Sequence, residues 1–343
     1  MSNSIEDNKP QQPEESNQPD KDSLLANTGI LIQLAREKVL CPAALEESLR
    51  ITQVIPDRKG WQNFISRTML LLGTALLLCG IIFFFAYNWA NLHKFAKLAI
   101  VQSTILVFVV ITMAKGLDHI VGKCSLLAAC VMIGPALGVY GTIYQTGADA
   151  YELFLGWSLL MFGWVAISNF GGLWFIWLVL VNVFVTLYGE QVYGYRIFSN
   201  GALYLALFAV NFIAMALWEY CYVKKVTWLQ NRFFSRSIAI FLHYVLVQPT
   251  LIIIFGRGQG VLQIIPVIYA LYVAAIFVVY QRQIRDLFML TINCLSLIVV
   301  LSCVFGKNFV NNSESFILLS LFIMAITAMA GYWLNKVGKS WNN

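Results

Sequence analysis

Apolar residues gather into ten blocks along the chain, at 69–87, 96–114, 124–144, 153–168, 172–188, 201–222, 237–255, 261–280, 287–305 and 315–334. Polar or basic connectors separate them. A helix needs about 20 apolar residues to cross a bilayer. The pattern therefore predicts an all-α fold, a polytopic transmembrane helical bundle of about ten spans. One boundary is ambiguous. At Asn169-Phe-Gly171-Gly172 the hydrophobicity barely dips, so 153–188 reads either as one long segment or as two short spans.

Charge resolves the ambiguity. With ten spans and the N-terminus in the cytoplasm, thirteen basic residues fall on the cytoplasmic side: Arg58, Lys59, Arg67, Lys115, Lys123, Lys224, Lys225, Arg232, Arg236, Arg282, Arg285, Lys336 and Lys339. Five fall outside: Lys94, Lys97, Arg196, Arg257 and Lys307. Basic residues favour the cytoplasmic ends of spans, and merging 153–188 would carry the Lys224–Arg236 group to the wrong face. Both termini are thus expected in the cytoplasm.

Ahead of the spans the pattern changes. Residues 1–22 are rich in Pro, Gln, Asn, Ser and Glu and lack apolar content, which predicts a disordered acidic tail. Residues 23–60 carry Leu24, Leu25, Ile30, Leu31, Leu34 and Val39 at helical spacing. Cys41-Pro42 interrupts them, and Pro42 suits the first turn of a second short helix. A small cytoplasmic helical hairpin is expected here, followed by the transmembrane domain over 61–343. Trp61 and Phe64 suit the headgroup level.

Composition agrees with this division. Of the 343 residues, 59% are hydrophobic and 12% charged, against about 25% charged in soluble domains. Ten of the seventeen acids precede residue 60, so the net charge of +6 belongs to the membrane part. That surplus implies contact with anionic lipid rather than nucleic acid. The seven cysteines form no C-x-x-C pair and the three histidines no H-E-x-x-H pattern, so neither a disulfide framework, a metal site nor a cofactor is expected.

Trp61-Gln-Asn-Phe-Ile-Ser-Arg67, Leu72-Gly73 through Gly80, Ala86-Tyr87-Asn88-Trp89 and Phe95-Ala96-Lys97-Leu98-Ala99 resemble the opening of a bacterial membrane-protein family, domain of unknown function 2157. A second shared piece reads Gly141-Thr-Ile-Tyr144-Gln145-Thr146-Gly147-Ala148-Asp149, with Gly141 where a polar residue is expected. The resemblance covers about residues 24–170. It implies an inner-membrane location and brings no activity with it.

Candidate chemistry concentrates around residues 134–152. Gly134 and Gly138 form a G-x-x-x-G, which lets helices approach closely, and Pro135 removes one backbone hydrogen bond. The bland expectation is a tightly packed, kinked helix in the bundle centre. The sharper one is a broken helix whose path would be lined by Tyr140, Tyr144 and Gln145. Asp149 and Glu152 have the D-x-x-E spacing of a capping box, with a paired-carboxylate cation site as the alternative. Asn88 and Asn91 are read as caps at the ends of the first two spans. Among intramembrane polar residues, Glu219 can snorkel or pair with Lys224 and Lys225, while His243 with Gln248 is the better candidate for a buried polar cluster.

Three functions compete. A small-solute or ion transporter or channel predicts polar side chains converging between the third, seventh and ninth spans, and ranks slightly first. A non-catalytic scaffold or subunit of a membrane complex predicts a packed centre, with the bilayer and a membrane protein or a second copy as partners. An enzyme ranks last, because no nucleophile and base pattern is visible.

Overall fold

The computed structural model describes residues 30, 31, 33–35, 37, 39–51, 58–88, 92–194, 201–256, 260–309 and 315–341. The 1–22 tail, much of the 23–60 hairpin and the expected Asn91 cap lie outside those residues. The chain divides into two compact units, Met1–Met69 and Leu70–Asn343.

In the first unit, α1 (Pro42–Ile51) starts at Pro42, where the missing amide proton leaves no acceptor unsatisfied. Glu46 and Arg50 pair one turn apart at 2.8 Å. The unit boundary falls within α2 (Arg58–Asn88). Near its start the Trp61 and Phe64 rings meet edge to face, with centroids 5.9 Å apart.

The second unit continues through α3 (Lys94–Lys115), α4 (Ile120–Tyr144), α5 (Ala150–Ile167), α6 (Gly171–Tyr193), α7 (Ala202–Val223), α8 (Arg232–Ile254), α9 (Ile265–Arg282), α10 (Leu287–Phe309) and α11 (Ser315–Trp341). Among the described residues, ten helices are long and apolar enough to cross a membrane, one for each apolar block. The molecule is an all-α polytopic bundle.

The ambiguous stretch is two helices. Ser168 ends α5, its hydroxyl accepting the Phe170 amide at 3.3 Å, and α6 begins at Gly171. A Cβ on Gly171 would lie 3.4 Å from the Trp228 carbonyl. The start of α6 and the connector between α7 and α8 therefore share one end of the bundle, as two short spans require.

Four apolar clusters hold the unit together, the smallest of them Leu203, Leu207 and Val245 between α7 and α8. Leu78, Val101, Ala128 and Met132 join α2, α3 and α4. Cys130, Met161, Val165 and Leu173 join α4, α5 and α6. The third spans α6 to α11 and includes Leu178, Leu242, Leu246, Tyr269 and Leu290. α6 serves two of them, with Leu173 on one side and Leu178 on the other. Every backbone amide inside a bilayer must be satisfied within the protein, which is why these apolar blocks become helices.

Candidate functional site

The Gly134–Glu152 stretch forms the close pairing of α4 with α5. α4 continues unbroken through Pro135 to Tyr144, so the broken-helix expectation does not hold. Gly134 explains the packing: a Cβ there would lie 2.4 Å from the Trp157 ring. That ring is fixed, because Trp157 Nε1 donates to the Cys130 carbonyl at 2.8 Å. Gly138 has ordinary room, 3.9 Å to Leu153.

Beyond Gly141 the chain turns. Gln145 takes the left-handed conformation at φ 47° and ends the helix, its amide donating to the Gly141 carbonyl. Asp149 then caps α5 in a capping box with Glu152, whose carboxylate accepts the Asp149 amide at 3.2 Å. Both acids are exposed. Tyr140, Asp149 and Glu152, with Gly138 and Thr146, line an open cleft of about 520 Å³. The Tyr140 and Tyr144 rings meet at a tilt of 42° with centroids 4.6 Å apart, but neither Tyr144 nor Gln145 lines the cleft. At the start of α3, the His93 imidazole accepts the Phe95 amide, so His93 is the cap.

The buried polar groups lie elsewhere. His243 sits about 16 Å along α8, at 1.5 Å per residue. Its Nε2 is 3.1 Å from Asn293 Oδ1 and its Nδ1 2.8 Å from the Ala239 carbonyl. Both ring nitrogens face oxygens. Only an imidazolium donates through both, so the neutral ring makes one of the two bonds. Asn293, fully buried, donates to the Val273 carbonyl at 3.1 Å. Gln248 points away and is exposed, correcting the expectation that it joins His243: five residues on along a helix is a turn of about 500°, which leaves the two on different faces. Elsewhere Asn182 and Asn211 bond each other between α6 and α7 at 3.1 and 2.5 Å. Tyr269 donates to Ser296 at 3.0 Å. Convergence thus joins the seventh and ninth spans, with the third span's polar residues in a separate place.

The densest charged cluster gathers where the basic, aromatic-rich Lys224–Arg236 stretch, expected as an interfacial segment held by anionic lipid, meets two buried acids. After α7, Lys225 turns left-handed at φ 57°, and the Gln230 side chain donates to the Val226 carbonyl at 3.1 Å. Asn231 caps α8 by accepting the Phe233 amide at 2.9 Å. This reversal brings Arg232 onto Glu219, 2.6 Å away. Glu219 therefore pairs with Arg232 and accepts from Tyr280 at 2.8 Å, rather than pairing with Lys224 or Lys225. Arg232 also reaches Asp286 at 2.8 and 3.0 Å, and Arg236 reaches the same carboxylate at 3.2 Å. Asp286 in turn caps α10 by accepting the Phe288 amide at 3.0 Å. Burial pushes the Asp286 carboxyl up, but the hydrogen bonds and charges of Arg232 and Arg236 outweigh it and hold it below the usual carboxylate range. The cluster ties α7, α8, α9 and α10 together at one end. Its only sequence signal is that Glu219, Arg232, Tyr280 and Asp286 all fall at the ends of apolar blocks that share a face.

Among the described residues, ten long apolar helices, four of them tied at one end by the cluster of Glu219, Arg232, Tyr280 and Asp286, define a multi-pass integral membrane protein. Residues 33–174, from just ahead of α1 to the start of α6, match the family described as Predicted membrane protein (DUF2157). That span contains every motif that carried the resemblance. No curated protein and no solved structure matches the chain.

Proposed function

We propose that the protein is a non-catalytic membrane subunit, a scaffold that holds a membrane-embedded partner, rather than a conduit. One observation carries this reading. In the unit Leu70–Asn343, three pairs of polar side chains on neighbouring helices bond each other: Asn182 with Asn211, His243 with Asn293, Tyr269 with Ser296. None of them lines the cleft at Asp149 and Glu152; Asn182 and Asn211 border a separate, largely apolar cleft of about 440 Å³ between α6, α7 and α8. Hydrogen bonds of this kind fasten helices together in lipid. The partner is a membrane protein or a second copy of this chain, in the inner membrane, and the non-catalytic character rests on the lack of a nucleophile and base pattern.

Mild-detergent extraction followed by mass measurement tests it. The account expects an assembly heavier than the 38.7 kDa chain and proteoliposomes of the pure protein that stay sealed to small cations and solutes. A monomer that conducts, with flux lost on Asp149→Asn and Glu152→Gln, would overturn it.

Transport is the second reading, and His243 favours it. An imidazole set between two oxygens in the membrane interior could carry a proton, and an ionisable group at that depth is a functional candidate by default.

A further inference from the structure

We infer that the charged cluster at the Arg232 end of the bundle binds a phosphate group, presented as the phosphodiester of an anionic membrane lipid. A pocket of about 200 Å³ opens there, lined by Tyr222, Arg232, Arg236, Arg285, Asp286 and Phe288. The charges in and beneath it do not balance. Arg232, Arg236 and Arg285 face only Glu219 and Asp286, leaving one positive charge over.

The donors are unequally engaged. Arg232 is nearly buried, 15% exposed, and bonds Glu219 and Asp286 through Nη1, Nη2 and Nε. Arg236 is 39% exposed and gives Asp286 only Nε and Nη2. Its Nη1 is uncommitted among the described contacts. Asp286 already accepts from Arg232, Arg236 and the Phe288 and Met289 amides, so it has no capacity for Arg285. Arg285 is exposed, held at φ 45° in the turn before α10, and has no bond to another described residue. Phe288 lies beneath Arg236, with the guanidinium 5.0 Å from the ring centre, and fixes its plane. Planar guanidinium groups suit bidentate phosphate recognition.

Position selects the lipid source. The pocket lies where α7 ends and α8 and α10 begin, at the boundary of the spans, where a headgroup phosphate resides. Ile284 and Leu287 complete its wall, an apolar surface suited to the ester and acyl part of a lipid and unsuited to a free anion. Lys224, Lys225 and Arg282 add positive charge at the same end.

Native mass spectrometry and thermal unfolding of the detergent-purified full chain test this, with phosphatidylglycerol, phosphatidylcholine and inorganic phosphate as probes. Phosphatidylglycerol should be retained and should raise the unfolding temperature, with phosphatidylcholine and inorganic phosphate doing neither. Arg285→Gln should weaken phosphatidylglycerol retention about fivefold, without lowering the lipid-free unfolding temperature. Arg285→Lys should recover part of the loss. Equal retention of the two lipids, or an unchanged affinity in Arg285→Gln, would overturn the site. Inorganic phosphate binding as tightly as phosphatidylglycerol would overturn its assignment to lipid.

Discussion

Gly134 shows how one missing methyl group sets a helix interface. The Trp157 indole occupies the space a Cβ would take and is anchored there by its bond to the Cys130 carbonyl. Gly134→Ala must displace the ring or separate α4 from α5, at a cost of about 1–3 kcal/mol. Thermal unfolding in detergent should show a clear fall, while Gly138→Ala, 3.9 Å from its nearest neighbour, should be nearly silent. Asp286 supplies the second residue-scale prediction. Its folded carboxyl lies below the unfolded value of about 3.9. The stability it contributes is therefore complete above about pH 4 and is lost as pH falls through the folded value. Asp286→Asn should cost about 3 kcal/mol at neutral pH, because two arginines lose their buried partner. The gap in unfolding temperature between wild type and variant should close on acidification below pH 4. A gap that widens there would contradict the assignment.

At the scale of elements, the α4–α5 turn and the α7–α8 turn differ in how far sequence exposes them. The first was legible because a capping box is local: Asp149 and Glu152 are three residues apart and read as a pair without any tertiary knowledge. Asp149→Ala with Glu152→Ala should cost about 1–2 kcal/mol, whereas Asp149→Asn with Glu152→Gln should leave unfolding almost unchanged. An intact Asn/Gln protein that loses a measured flux would instead make these acids a transport site. The α7–α8 turn was not legible. Glu219 has Lys224 and Lys225 within six positions, and proximity in sequence points to them. The left-handed Lys225 and the Asn231 cap carry Arg232 past both lysines onto the carboxylate. Asp286 lies 54 positions from Arg232, and only the antiparallel return of α9 and α10 brings it there. His243 fell between these cases. Its burial followed from its place in an apolar block, but Gln248 and Asn293 were equally polar in sequence, and helix rotation alone decided which one it meets.

For the whole molecule, the account depends on an even number of crossings. Apolar block length gave the number of helices, and basic residues broke the one tie, at 168–171. Both signals are strong because lipid penalises unsatisfied backbone and misplaced charge over the full length of a span. They place the Lys224–Asn231 connector on the same face as the Trp341 end of α11, and the Thr146 turn on the opposite face. Labelling of single cysteines in intact cells with a membrane-impermeant thiol reagent measures this directly, using Gln230→Cys, Ser340→Cys and Thr146→Cys in a background without the native cysteines. The account predicts that Thr146→Cys is labelled from outside, while Gln230→Cys and Ser340→Cys react only after the membrane is opened. Labelling of Gln230→Cys and Thr146→Cys from the same side would contradict the ten-span arrangement.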